Sequence, residues 1–306
     1  MKIFREHVTC WSGFAILLAV AAATVGCNGA HKPAVLSARA PQQFAVRGVV
    51  VSTDAATGDV MLNHEAIPGL MDAMTMSYRL QDASVISELH RGDTITATLT
   101  ARKGVKGPDA MRLGHIVVIA QGQADTVPNV QYHIPVVGDI VPDYALLNQS
   151  GRRIRMSEFR GKVVLLTFIY TRCAMADFCP KMSRNFAEID KALADDPALY
   201  AKTHLLSISF DPKYDTPSVL RSYGGAYTGK YTNEKFAHWD FAAPSVAELP
   251  KVEQFFDLGV TPGDGKSLMH SLATVVVGKD GKVVAFYPTN DWTTDALVQQ
   301  IRAAAV

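Results

Sequence analysis

Two thiols, Cys173 and Cys179, bracket the segment Cys173-Ala-Met-Ala-Asp-Phe-Cys179-Pro180 of this 306-residue chain. They follow the apolar run Val163-Val-Leu-Leu-Thr-Phe-Ile-Tyr170, whose length without alternation predicts a strand buried on both faces. Beyond them Met182, Phe186, Ile189 and Leu193 recur at helical spacing, so residues 180–194 are expected to form a helix. The thiols therefore fall at a strand-to-helix junction, where the positive end of a helix favours thiolate. A thiolate pair there can form a disulfide or hold a soft metal ion.

The elements that position these residues divide the chain in two. Short alternating strands are expected at 44–52, 60–63, 76–80, 94–101 and 111–120, separated by turns such as Asp54-Ala-Ala-Thr-Gly58 and Arg91-Gly92-Asp93. So many short strands in so little chain predict a small all-β, OB-like barrel over residues 43–120. Residues 121–134 are polar, carry proline and lack periodicity, which reads as a linker. From 135 to 306 strands alternate with helices. A buried strand is expected at 205–210, a helix after Thr216-Pro217, and a helix capped by Ser245 and running through Phe256. The pair of strands 273–277 and 283–287 flanks Gly278-Lys-Asp-Gly281, a hairpin signal, and Thr294 starts a closing helix. This order predicts an α/β thioredoxin-like fold.

The N-terminus reads as an export signal. Lys2 and Arg5 precede an apolar stretch at 14–25 that is short for a bilayer span, and residues 1–26 are expected to be a signal peptide. It ends in Thr24-Val25-Gly26-Cys27, which resembles a bacterial lipobox, with Thr24 where that motif usually carries Leu, Val or Ile. The expected product is a periplasmic or cell-envelope protein tethered to a membrane by lipid on Cys27. With Cys10 removed and Cys27 capped, Cys173 and Cys179 are the remaining thiols. An exported compartment oxidises such a pair unless a reductant or a metal protects it. Removal of Lys2, Arg5 and Glu6 leaves 28 basic and 28 acidic residues. With no basic run, nucleic acid is not expected as a partner.

His270, just before the strand 273–277, is the candidate third donor. Two thiolates and one imidazole make a trigonal soft site suited to copper. Phe168-Ile-Tyr-Thr-Arg-Cys173 through Cys179-Pro180, then Ser209-Phe-Asp-Pro-Lys-Tyr-Asp-Thr-Pro217, then His270-Ser-Leu-Ala-Thr resemble the SCO/SenC copper proteins. The resemblance implies that Cys173, Cys179 and His270 bind one copper ion, Cu(I) or Cu(II). It further implies delivery of that ion to the dinuclear centre of cytochrome c oxidase. The family usually has three residues between its cysteines, and this chain has five. Met175 in that longer loop is expected to pack locally, the alternative being an extra soft ligand.

A second cluster lies in the barrel region, His64-Glu-Ala-Ile-Pro-Gly-Leu-Met71-Asp-Ala-Met74-Thr-Met76. Met74 and Met76 alternate, so on a strand they share a face. Thioethers suit Cu(I), although methionines also fill small cores. The segment is similar to the CusF-type periplasmic copper and silver chaperones, which implies Cu(I) binding by His64, Met74 and Met76. Met71 stands where that family has a tryptophan, and would add a further thioether.

The reading that follows is a membrane-tethered copper chaperone acting on an apo copper protein such as a cytochrome c oxidase subunit, rather than an enzyme. A thiol–disulfide oxidoreductase using Cys173 and Cys179, with a thiol reductant as partner, is the alternative. Five intervening residues disfavour it, because resolving a mixed disulfide is fastest from a Cys-X-X-Cys pair. Copper buffering for resistance is the third reading.

Overall fold

The computed structural model describes residues 41–102, 105, 108–122, 130–263 and 267–306. The expected signal segment, Cys27 and part of the expected linker lie outside them. Five strands, β1 (Gln42–Asp54), β2 (Asp59–His64), β3 (Met74–Leu80), β4 (Thr94–Ala101) and β5 (Met111–Ala120), pair in the order β1-β2-β3-β5-β4 and return to β1 as a closed barrel. β1 pairs with β4 through residues 42–49 and with β2 through residues 48–54, and a bulge between Val50 and Ser52 interrupts the second pairing, a feature that bends a strand. β3 begins at Met74 rather than at the expected Met76, because Met74 pairs directly with His64 of β2. Gly48 of β1 lies against this end of β2. A Cβ there would meet the Asn63 carbonyl at 2.6 Å and the His64 Cα at 2.8 Å, so no larger residue lets β1 approach His64 so closely.

The rest of the chain builds a thioredoxin-like layer. Its elements are β6 (Ala145–Asn148), β7 (Arg153–Arg155), β8 (Val163–Ile169), α1 (Cys179–Ala194), α2 (Pro197–Ala201), β9 (Thr203–Ser209), α3 (Pro217–Thr228), β10 (Trp239–Pro244), α4 (Leu249–Phe255), β11 (Val260–Pro262), β12 (Leu268–His270), β13 (Thr274–Val277), β14 (Val283–Tyr287) and α5 (Thr294–Ala304). Seven of the strands form one sheet in the order β14-β13-β8-β9-β10-β6-β7. β8, β9 and β10 are parallel and buried along their whole length, which explains their unbroken apolar runs. α1 buries Met182, Phe186, Ile189 and Leu193, each burial stabilising by roughly 1.5–3 kcal/mol. The hairpin β13–β14 forms as its glycines require, with Gly281 at φ 74.

Two expectations about helix starts need correction. α4 begins at Leu249, not directly after Ser245. Ser245 Oγ accepts from the Glu248 amide at 3.1 Å and so caps a turn ahead of the helix. Thr216 does precede α3, but its side chain makes no capping bond; its hydroxyl lies 3.1 Å from that of Ser218.

Through β2 and β3 the barrel touches residues 257–261, at and before β11. Asn63 donates to Thr261 Oγ1 at 3.2 Å, the hydroxyls of Thr75 and Thr261 lie 3.1 Å apart, and Ser77 donates to Asp257 Oδ1 at 2.5 Å. Asp257 is enclosed there, and burial, reinforced by the nearby Asp59 carboxylate and opposed by the Ser77 bond, pushes its carboxyl up to about 8 from the ordinary 3.8. A carboxyl that keeps its proton when folded stabilises most below the unfolded pKa, and that contribution disappears as pH rises through the folded one. Stability to urea should therefore fall between pH 4 and 8. Half-buried Glu253, raised by desolvation to about 7, adds to the same slope. Asp257→Asn should flatten the fall, leaving the Glu253 part; an unchanged slope would show that Asp257 is ionised in the fold.

Candidate metal centres

The first centre forms where β8 ends. Cys173 follows in a turn whose amide bonds the Tyr170 carbonyl at 3.2 Å, and Cys179 is the first residue of α1. His270 ends β12, pairs with Val260 across that short hairpin, and is separated from Cys179 by 91 residues of sequence. The Sγ atoms of both cysteines and an imidazole nitrogen of His270 all lie within 4.8 Å of one another. Cys179 Sγ and His270 Nε2 are 3.8 Å apart. His270 Nδ1 sits 2.7 Å from the Ser271 carbonyl. A carbonyl only accepts, so Nδ1 carries the proton and Nε2 presents its lone pair to the thiols. The rings of Tyr170, Phe178 and Phe210 surround the imidazole at centroid distances of 5.6, 5.4 and 4.8 Å.

The five residues between the cysteines are tied down rather than loose. Phe178 turns inward against His270, its amide bonds the Met175 carbonyl at 3.0 Å, and Arg184 and Asn290 donate to the carbonyls of Ala176 and Asp177. The Met175 side chain is half-buried against the core, and its carbonyl faces Cys173 Sγ at 3.9 Å. Before the loop, buried Asp215 accepts from the Thr171 amide (3.0 Å), the Thr171 hydroxyl (2.5 Å) and the Ser209 hydroxyl (2.6 Å). It works as an anchor for the turn that carries Cys173. Arg172 beside it pairs with Asp211 and lies over the Tyr214 ring. The three rings around His270 do not stand out by spacing; they become visible only when the chain segments that carry them meet.

The two thiols are unequal. A hydrogen bond from Cys179 pulls the half-buried Cys173 thiol far down, while burial pushes that of Cys179 well up. The helix start was expected to favour thiolate at both; at Cys179 desolvation outweighs it. In the reduced, metal-free protein Cys173 should therefore react with iodoacetamide at pH 6, where an ordinary thiol, with a pKa of about 8.5, is largely protonated. Mass spectrometry of the alkylated peptides checks this, and equal slow labelling of both cysteines would contradict it.

The second centre lies in the barrel. His64 is opposite Met74, and Leu62 is opposite Met76, so the three candidate donors share one face, with directly paired Cβ atoms about 4.5–5.5 Å apart. That face points inward, because the alternate residues Met61 and Thr75 pack outward against Gly259. His64 is almost fully buried. Its Nδ1 lies 2.7 Å from the Glu65 carbonyl, which again fixes the proton on Nδ1. Nε2 is left buried without a partner, an expensive arrangement for a polar atom unless a metal ion takes its lone pair. Burial lowers the His64 pKa and keeps the ring neutral, the ligating form. The Tyr78 ring stands edge-on to His64 at 5.7 Å, and its hydroxyl donates to Met71 Sδ at 3.7 Å. Met71 is thus joined to the cluster through Tyr78. Each donor set fits a soft ion.

The remaining histidines of the sheet region have structural partners. His204 meets Asp240 at 3.0 Å and His238 meets Asp190 at 2.6 Å.

A thioredoxin-like sheet with a thiol pair at the strand–helix junction and an imidazole folded against it defines a class of protein. Residues 135–305, more than half of the chain, match the family model SCO1/SenC, and the chain belongs to that family. Residues 43–106 match the model described as copper binding periplasmic protein CusF. The SCO1 protein homolog of Bacillus subtilis (strain 168) is 26% identical over 169 residues, covering 54% of this chain and 82% of the relative. The mitochondrial protein SCO2 homolog of Bos taurus is 25% identical over 147 residues, covering 47% of this chain and 52% of that protein. The copper-bound crystal structure of ScoI from Arabidopsis thaliana is 21% identical, with a TM-score of 0.45, covering 54% of this chain and 99% of that one. Among the described residues no helix is long and apolar enough to cross a membrane.

Proposed function

We propose that this protein is an exported copper chaperone that holds one copper ion between Cys173, Cys179 and His270 and passes it to an apo copper protein, a cytochrome c oxidase subunit. The convergence of those three donor atoms within 4.8 Å carries the reading. Thiolates select a soft ion, and a single neutral imidazole leaves the site three-coordinate and open to exchange with an incoming thiolate. The ring cage around His270 keeps water from the imidazole side, while the half-buried Cys173 gives an acceptor a point of entry. His64, Met74 and Met76, with Met71 beside them, form a second Cu(I) site made of donors that oxidation cannot join in a disulfide. A lipid on Cys27 would tether the chain to the membrane that houses its acceptor, and a thiol reductant would keep Cys173 and Cys179 ready for copper.

The unequal thiols favour one second reading, a thiol–disulfide oxidoreductase in which Cys173 attacks a partner's disulfide. The two are separated by incubating the reduced, copper-loaded chain with the apo copper domain of an oxidase subunit, in its reduced and in its disulfide-bonded form, and measuring after separation the copper and the free thiols that the domain carries. Copper transfer is expected, and should disappear in His270→Ala. Disulfide exchange with the domain, unaffected by His270→Ala and without copper transfer, would favour the oxidoreductase.

A further inference from the structure

We propose that the barrel positions the copper ligand His270, gripping through Asn63, Thr75 and Ser77 the backbone segment that holds the imidazole. The proposal rests on the ligand assignment above and gives the barrel a role that its own metal site does not require.

The grip is a built surface. On β2 and β3 the pairs Asn63–Thr75 and Met61–Ser77 are directly opposite, so the four side chains form one patch on the outer face of the strands. The patch meets residues 257–261, which lead into the hairpin β11–β12. Asn63 and Thr75 both bond the Thr261 hydroxyl, and Ser77 bonds the Asp257 carboxyl. Between them Gly259 has no room for a side chain: a Cβ would lie 2.6 Å from Thr75 Cγ2 and 2.7 Å from Met61 Sδ. The barrel therefore rests directly on the hairpin's backbone.

From this contact the path to the metal ligand is short. The Asp257 carbonyl accepts from Ser271 Oγ at 3.0 Å, and Ser271 Oγ accepts from the Gly259 amide at 2.9 Å. The Ser271 amide donates back to the Gly259 carbonyl at 2.9 Å. Ser271 is thus held by three bonds to the gripped segment, and its own carbonyl takes the His270 Nδ1 proton at 2.7 Å. Asp257 also has a left-handed backbone, φ 52, a conformation uncommon outside glycine and maintained here by the bonds on either side. Groups that orient a ligating imidazole through its second nitrogen typically change metal affinity by about 10–100-fold.

The test uses the full, reduced chain and Cu(II), whose thiolate charge-transfer bands report the Cys/Cys/His centre and not the thioether site. Ser77→Ala is expected to weaken Cu(II) binding by about tenfold and to move the bands toward those of His270→Ala. Ser77→Thr, which keeps the hydroxyl, should restore both. Thr75→Val tests the same grip if Ser77→Ala does not fold, and should shift the bands in the same direction. Bands and affinity equal to the parent's in both Ser77→Ala and Thr75→Val would overturn the proposal, even with a lowered melting temperature, because the contact would then be structural alone. If His270→Ala itself leaves the bands unchanged, the ligand assignment fails and the positioning role fails with it.

Discussion

Cys179→Ser is expected to remove tight copper binding from the strand–helix centre, with an affinity loss well beyond the roughly 10–100-fold that a change in the outer shell costs. The sulfur is the donor held most rigidly, since it starts α1, is fully buried, and faces His270 Nε2 at 3.8 Å. A serine hydroxyl there is a hard, protonated oxygen that a soft ion does not select. The serine hydroxyl can still donate to Cys173 in place of the thiol, so the loss reports the missing sulfur donor itself. Competition with a chromophoric Cu(I) chelator measures the loss. A Cys179→Ser protein within a few fold of the parent would mean that copper is held elsewhere.

His64→Leu should have two effects of opposite sign. In the metal-free protein it replaces a buried, unpartnered Nε2 with an apolar side chain, and an unsatisfied buried polar atom costs about 1–3 kcal/mol. Some of that gain is offset by the lost bond to the Glu65 carbonyl, which lies at an exposed residue and can turn to water. A net gain of about 1 kcal/mol is expected from these terms. Metal should then cease to stabilise the barrel. With Cys173 and Cys179 both changed to serine, Ag(I) at 100 times its dissociation constant should stabilise the His64 protein by about 2.7 kcal/mol and the Leu variant hardly at all. Urea unfolding with and without Ag(I) reads both effects. A destabilised variant that keeps the Ag(I) response would make His64 an ordinary core residue.

Much of this was legible because local pattern and global fold agree. The unbroken run before Cys173 becomes β8, and its lack of alternation follows from burial on both faces of a parallel strand. The glycines at 278 and 281 fix the hairpin that follows β13. Met74 and Met76 share a face because they alternate, and the register then places His64 against Met74. Other features had no local signal. β11 and β12 are three residues each, too short for periodicity to register. His270 could be singled out only through the family resemblance, since its partners are far away in sequence. Asn63, Thr75 and Ser77 follow the polar alternation of a solvent-facing strand surface, yet they meet Asp257 and Thr261. The helix-terminus expectation for the thiols was local too, and it misjudged Cys179 because the burial that raises its pKa comes from tertiary packing.

One chain is expected to carry two separate soft-metal sites, the thiol–imidazole centre and the barrel centre. The most direct measurement is the number of tightly held Cu(I) ions per reduced chain, determined by anaerobic competition titration of the parent, Cys179→Ser and His64→Leu. Two ions in the parent and one in each variant are predicted, with the variants retaining different sites. A single ion in the parent, or an undiminished count in either variant, would contradict it.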